Sequence, residues 1–274
     1  MLVKRFWRTL STLFFVVGVG GAIFYFWHRS RQSQIQPVLI NPHPAPSTEV
    51  SSPAIQYPVP NESNGAGSAS ARPGIPALDQ SDSTIQAALA SLFGKDRYRA
   101  LFSQKDIVRR IVVTTDNAIR RRQPSQELWP LNPPDPGFLV TGASDALLID
   151  EKNSARYKPY VELFETVNAR KLVQAYFHFY PLFQAAYRDL GTRGYFNDRL
   201  VEVINAILQT PEVVSPIHVV RTGVGSPIYR FEDGSLESLS AAQKVLLRMG
   251  PEKARIVKTK LREIRMLLTR QEKN

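Results

Sequence analysis

An uncharged stretch of 19 residues, from Thr9 to Trp27, constrains this chain more than any other feature. At about 1.5 Å per residue in an α-helix, the stretch is long enough to cross the hydrocarbon core of a bilayer. Trp7 and Trp27 stand at its two ends, where indole rings favour the headgroup region. The pattern predicts a transmembrane helix over residues 9–28, in contact with the lipid bilayer.

A cleaved signal peptide is the alternative interpretation, but such peptides end at a small-x-small cleavage site, whereas this stretch ends in bulky aromatic residues. Residues 1–8 hold three basic side chains and residues 29–31 hold two. The positive-inside rule therefore predicts a cytoplasmic N-terminus over residues 1–8 and a periplasmic domain. We expect a single-pass protein of a bacterial inner membrane.

The segment after the predicted span is rich in proline, with nine prolines between Ser30 and Leu78 and a Ser/Asn/Gly-rich run at residues 63–68. It has no hydrophobic period, so it predicts a disordered linker over residues 29–78. A flexible coil of this length has a mean reach of about 40 Å. The folded domain is then expected over residues 79–274.

Within that domain, helical periods alternate with turn signals, and two hairpins are predicted at 138–149 and 217–231. The fold class is therefore mainly α with minor β, and an all-helical domain is the alternative. Asn168 is predicted to cap one long helix, which Pro181 is expected to kink or break near His178. Asn197 is predicted to cap the next helix.

The net charge of +11 suggests that the protein binds nucleic acid, but the charges are unevenly distributed along the chain. Residues 1–78 hold 6 Lys and Arg against 2 Asp and Glu, and residues 244–274 hold 10 against 3. Residues 79–243 are balanced, with 19 of each sign. No nucleic-acid partner is expected. The absence of cysteine excludes disulfides and thiolate metal sites.

Four strings carry a resemblance to a known family: Tyr180–Gln184, Tyr195–Ile204, Thr210–Val213 and Leu239–Glu252. They resemble an uncharacterised bacterial membrane-protein family catalogued as domain of unknown function 3014. The resemblance spans residues 79–268 and implies the same layout of anchor and domain. It implies no activity, ligand or catalytic residue.

Two carboxylates, Asp198 and Glu202, lie four residues apart on one predicted helix face, with Asn205 beyond them. Such a pair suits acid–base catalysis, although capping and ion pairing with Arg193 or Arg199 is the ordinary explanation. The domain has two histidines, too few for a three-histidine metal site, and no nucleotide-binding, zinc-protease or serine-hydrolase motif. Neither a metal nor a cofactor is predicted.

Residues 176–196 are rich in aromatic side chains, and Tyr180 and Tyr195 are candidates for lining a binding groove. Aromatic residues at helical spacing are, however, more often buried in the core. The last predicted helix sets Val257, Leu261, Ile264 and Leu268 in an apolar stripe. The candidate binding residues around that stripe are basic: Lys253, Lys258, Lys260, Arg262 and Arg265. They form either a solvated face or a binding face.

These patterns lead to one hypothesis and one alternative. The hypothesis is a non-enzymatic envelope protein whose tethered domain binds a protein partner, peptidoglycan or anionic lipid through its C-terminal basic helix. The alternative is a membrane-tethered hydrolase that uses Asp198 and Glu202 as its acids.

Overall fold

The computed structural model describes residues 54–60, 74–121, 123–143, 146–214, 216–223 and 225–270. In this part of the chain there are ten α-helices and two short antiparallel hairpins, which confirms a mainly α fold with minor β and corrects the all-helical alternative. The predicted membrane span at residues 9–28 lies outside the described residues. None of the described helices is both long enough and apolar enough to traverse a bilayer.

The helices are α1 (Asp82–Phe93), α2 (Lys95–Leu101), α3 (Ile107–Ala118), α4 (Asn153–Arg156), α5 (Lys158–Thr166), α6 (Ala169–Asp189), α7 (Phe196–Leu208), α8 (Gly234–Glu237), α9 (Ala241–Met249) and α10 (Pro251–Thr269). The strands are β1 (Val140–Thr141), β2 (Leu148–Ile149), β3 (Val219–Arg221) and β4 (Tyr229–Phe231). Two short 3-10 helices cover Leu78–Gln80 and Gln126–Leu128.

The main core lies where α6 meets α1, α3 and the start of α7. Helix α3 contributes Ile107, Val108 and Val112, all of which are fully buried. Helix α6 contributes aromatic residues spaced by three or four positions, including Tyr180 and Phe183, so that they share one face. Because of this spacing, α6 packs an aromatic face into the main core.

A second core joins α10 to α6 and α7, with Val201 and Ile204 packed against Leu261, Ile264 and Leu268. The predicted apolar stripe of α10 is thereby confirmed. The chain reaches α10 through the turn at Gly250, which lies in the left-handed region at φ 84°.

The two hairpins are linked to each other and lie on α9. Strand β1 pairs with β2, β3 pairs with β4, and the amide of Ile149 donates to the carbonyl of Ile217. Val219 and Phe231 pack on Leu247 in a small third core. Helix α9 begins with a capping box in which the side chains of Ser240 and Gln243 each bond the other residue's backbone.

Two details of the predicted helices differ in the structure. Helix α6 is capped by Asn168 as predicted and continues through Pro181, so the break that was one of the two expected effects of this proline does not occur. Helix α7 begins at Phe196, which makes Tyr195 the capping residue. Asn197 lies inside the first turn and is fully buried, because its amide binds partners from other segments.

Residues 54–60, which fall inside the predicted linker, contact the domain. The side chain of Val59 is 5% exposed and belongs to the main core, and Tyr57 packs against the second core. This stretch of the proline-rich segment therefore contributes to the folded unit.

Candidate functional site

The two candidate catalytic carboxylates are each engaged in a structural contact. The carboxylate of Asp198 accepts hydrogen bonds from the backbone amides of Gln56, at 3.1 Å, and Tyr57, at 2.8 Å. The carboxylate of Glu202 accepts a hydrogen bond from the guanidinium of Arg199 at 2.8 Å. On the predicted helix face, Asp198 therefore binds an extended segment and Glu202 forms an ion pair. The two carboxylates have different partners.

Asn197 completes the attachment of residues 54–60. Its Nδ2 donates to the carbonyl of Tyr57 at 2.9 Å, and its Oδ1 accepts from the hydroxyl of Tyr176 at 3.2 Å. Together with Asp198, it bonds both the amide and the carbonyl of Tyr57. We call Asp198 and Asn197 the clasp.

We expect Asp198→Asn to release residues 54–60 and to lower the free energy of unfolding by about 2 kcal/mol, since hydrogen bonds to a charged group contribute about 1.5–3 kcal/mol. The substitution removes the charge and turns one acceptor into a donor that faces an amide. Hydrogen exchange at the Tyr57 amide, followed by mass spectrometry on the full chain, measures the release.

Glu202→Gln is the matched control, because Glu202 lies on the same helix but has no hydrogen bond to residues 54–60 in the described structure. If Tyr57 exchanged at the same rate in both variants and in the wild type, the clasp would not hold the segment.

The candidate aromatic residues do not form a groove with each other. Tyr180 is fully buried, and its hydroxyl donates to Oε1 of Gln184 at 2.8 Å. The same oxygen accepts from the amide of Phe196 at 2.9 Å. Tyr195 is half-buried as the capping residue of α7. Tyr180 is therefore a core residue. The prediction that it lines a binding groove was wrong, because its side chain is buried.

Three of the candidate lysines on α10 bond the domain itself. Lys253 Nζ donates to Ser154 Oγ at 2.8 Å, and Lys260 Nζ donates to the carbonyl of Val167 at 3.0 Å. Lys258 is buried and donates to the carbonyl of Thr210 at 2.6 Å. The expectation that Lys258 lies on an open basic face is wrong, because its ammonium group satisfies a buried carbonyl.

Three arginines of α10 remain open to solvent: Arg255, Arg262 and Arg265. Their guanidinium groups have no hydrogen bond or ion pair with any residue that the structure describes. Arg262 and Arg265 lie four and one residues before Met266, which is 62% exposed. We call these four residues the arginine face.

A groove of about 820 Å³ in the described structure was not predicted. One wall is the proline-rich loop of residues 123–138, and the other walls come from the end of α3, α4, α5, the start of β4 and α9. Trp129, Phe138, Tyr157, Tyr160 and Tyr229 line it with aromatic surface. We call this cavity the loop groove. No sequence signal marked it, since its walls lie far apart along the chain.

Two arginines lie in the loop groove. The guanidinium of Arg248 is 5.4 Å from the ring centres of both Phe138 and Phe231 and has no hydrogen-bond acceptor among the described residues. Burial lowers the pKa of Arg248, and the positive charge of Arg156 lowers it further, against the opposing effects of Tyr157 and Glu237. This half-buried guanidinium therefore has no bound counter-charge among the described residues.

Among the residues that the structure describes, Arg156 bonds only neutral acceptors. Its guanidinium donates to the carbonyls of Pro134, at 3.1 Å, and Pro136, and to Oδ1 of Asn153 at 3.0 Å. Asp135 provides the one carboxylate in the described lining of the groove. The groove consequently has an excess of positive charge.

No group of three or more metal-ligating side chains occurs among residues 54–60, 74–121 and the later described segments. Comparison with curated proteins and with solved structures gave no match. The model of a family described as a protein of unknown function (DUF3014) matches residues 107–265, which is more than half of the chain. This chain belongs to the DUF3014 family.

Proposed function

We propose that this protein is a membrane-anchored binding module of the bacterial envelope, and that its arginine face docks the domain on anionic lipid headgroups. Residues 9–28 provide the anchor in the inner membrane, and the domain lies in the periplasm. The observation that carries the proposal is the group of three exposed arginines without a carboxylate partner in the described structure, next to the exposed Met266.

The composition of this face suits a membrane surface. Arginine and lysine side chains near anionic lipid contribute about 1 kcal/mol each, and an apolar side chain beside them can enter the headgroup region. The lysines of the same helix, which bond carbonyls and Ser154, do not compete for this role. The engagement of Asp198 and Glu202 by backbone and arginine leaves the hydrolase alternative without an observation that favours it.

The absence of cysteine allows a single labelled position, Thr259→Cys, on the exposed side of α10. The full chain carrying an environment-sensitive fluorophore there is reconstituted into neutral phosphatidylcholine vesicles or into vesicles that also contain phosphatidylglycerol. We expect the label to be protected from a soluble quencher only in the anionic vesicles. High salt should remove the protection, because exposed charges are screened.

Charge reversal of the arginine face, R255E/R262E/R265E, should weaken docking by about tenfold or more. The matched control is K95E/R99E/K105E, which makes the same change in net charge on exposed side chains of another surface and should leave docking unchanged. Equal quenching in both kinds of vesicle would refute the proposal. Protection by soluble peptidoglycan fragments, and not by vesicles, would assign the face to the wall polymer instead.

A further inference from the structure

The loop groove has the charge of a site for an anion. Two guanidiniums lie in it, and the described lining holds one carboxylate, Asp135. Arg248 has no acceptor among the described residues, while the donors of Arg156 face neutral oxygens. Because a guanidinium removed from water gains most from a carboxylate, an incoming carboxylate would supply the interaction that Arg248 lacks.

The ring contacts of Arg248 fix its position for such an interaction. Its guanidinium lies over the rings of both Phe138 and Phe231, and Phe231 is fully buried. Cation–π contacts orient the charge but do not neutralise it. The guanidinium is therefore preorganised, so little conformational entropy is lost when a ligand binds.

The walls of the groove fit an extended peptide. Trp129, Tyr157 and Tyr160 present aromatic surface along with the prolines of the loop, and aromatic-lined grooves bind extended or polyproline-like segments. Ile228 at the rim is 64% exposed and offers a further apolar contact.

We propose that the loop groove binds an extended peptide that carries a carboxylate, with Arg248 as the residue that binds the carboxylate and the aromatic wall as the surface for the adjoining apolar side chains. This site is separate from the arginine face and does not depend on the proposed membrane docking. It gives the tethered domain a second specificity, for a protein partner with an acidic or C-terminal segment.

The three tryptophans of the chain make the test specific. The full chain is labelled with 5-fluorotryptophan, and the fluorine resonance of Trp129 is assigned with Trp129→Phe. The probes are N-acetyl-Ala-Pro-Phe with a free carboxylate and the same tripeptide as its amide. We expect saturable movement of the Trp129 resonance, while those of Trp7 and Trp27 stay in place.

The free acid should bind about tenfold more tightly than the amide, since a charge-assisted hydrogen bond is roughly twice as strong as a neutral one. Arg248→Gln should abolish this preference. If Arg248→Gln lowers the melting temperature, Ile228→Asp provides an independent test. It places a negative charge at the exposed rim, which should repel the carboxylate and remove the preference for the acid. Ile228→Asn is the matched neutral control and should keep the preference for the acid.

Equal affinity for acid and amide in the wild-type chain would overturn the proposal, as would a Trp129 resonance that neither peptide moves. Movement caused by N-acetylglucosamine oligomers and not by the peptides would assign the groove to a glycan, which also overturns it. Membrane docking is measured at a different position, so failure of one proposal leaves the other testable.

Discussion

Phe196→Ala is expected to lower the free energy of unfolding by about 4 kcal/mol, within the range for truncating a buried phenylalanine. The side chain is 1% exposed, at the point where α7 meets α6. Its ring stacks on Phe183 at 5.8 Å with an interplanar angle of 9°, and it also contacts the rings of Tyr176 and Tyr187. Urea unfolding of the full chain, followed by circular dichroism, measures the loss.

The cost should be high because the neighbours of Phe196 cannot easily fill the space. The amide of Phe196 bonds the side chain of Gln184, which also binds Tyr180, so the backbone is fixed on two sides. Met266→Ala is the control, since it removes a large side chain that is exposed, and it should change stability by less than about 0.5 kcal/mol. A loss below about 1.5 kcal/mol for Phe196→Ala would mean that the site collapses around the cavity.

Helices and strands were predictable wherever the pattern is local. The apolar stripe of α10 repeats every three or four residues, and one face of such a helix must be buried. Asn168 caps α6 because its side chain accepts the amide of Lys171, three residues away. The hairpins follow from apolar runs separated by glycine-containing turns. Each of these signals is contained within about 20 residues of sequence.

The roles of the polar residues were not predictable, since their partners are distant in sequence. Lys258 has the sequence context of a solvated lysine, yet its ammonium group meets a carbonyl 48 residues away. Asp198 looks like a first-turn acid that favours the helix dipole, yet it binds amides 141 and 142 residues away. A single sequence contains no signal for such pairs.

The loop groove was missed for a related reason. The five prolines in residues 123–137 indicate a loop, but a loop pattern says nothing about what lies opposite it. Arg248 in particular appears in sequence as the last-turn arginine of a helix, a position that suits the helix dipole. Only the packing of α9 against the hairpins shows that its guanidinium lies over the rings of two phenylalanines.

Asp116→Ala is expected to lower the free energy of unfolding by about 3 kcal/mol, because it leaves a partly buried arginine without its main partner. Asp116 is 6% exposed and lies on α3. Its carboxylate accepts from Arg199 Nε at 3.0 Å and from Arg120 at 2.7 Å, and its carbonyl accepts from Arg199 at 2.7 Å. Burial lowers the pKa of Arg199, but the hydrogen bond to Glu202 and the charge of Asp116 raise it overall.

The control for this prediction is Glu202→Ala, which removes the exposed partner of Arg199 and should cost less than about 1 kcal/mol. A double-mutant cycle with Arg199→Met then separates the pair from its surroundings. If the pair joins α3 to α7, D116A/R199M should be more stable than the sum of the single losses implies, by about 2 kcal/mol, since neither charge remains buried alone. Additive losses would instead mean that Asp116 acts through Arg120 and the backbone, and that Arg199 contributes mainly by packing its stem.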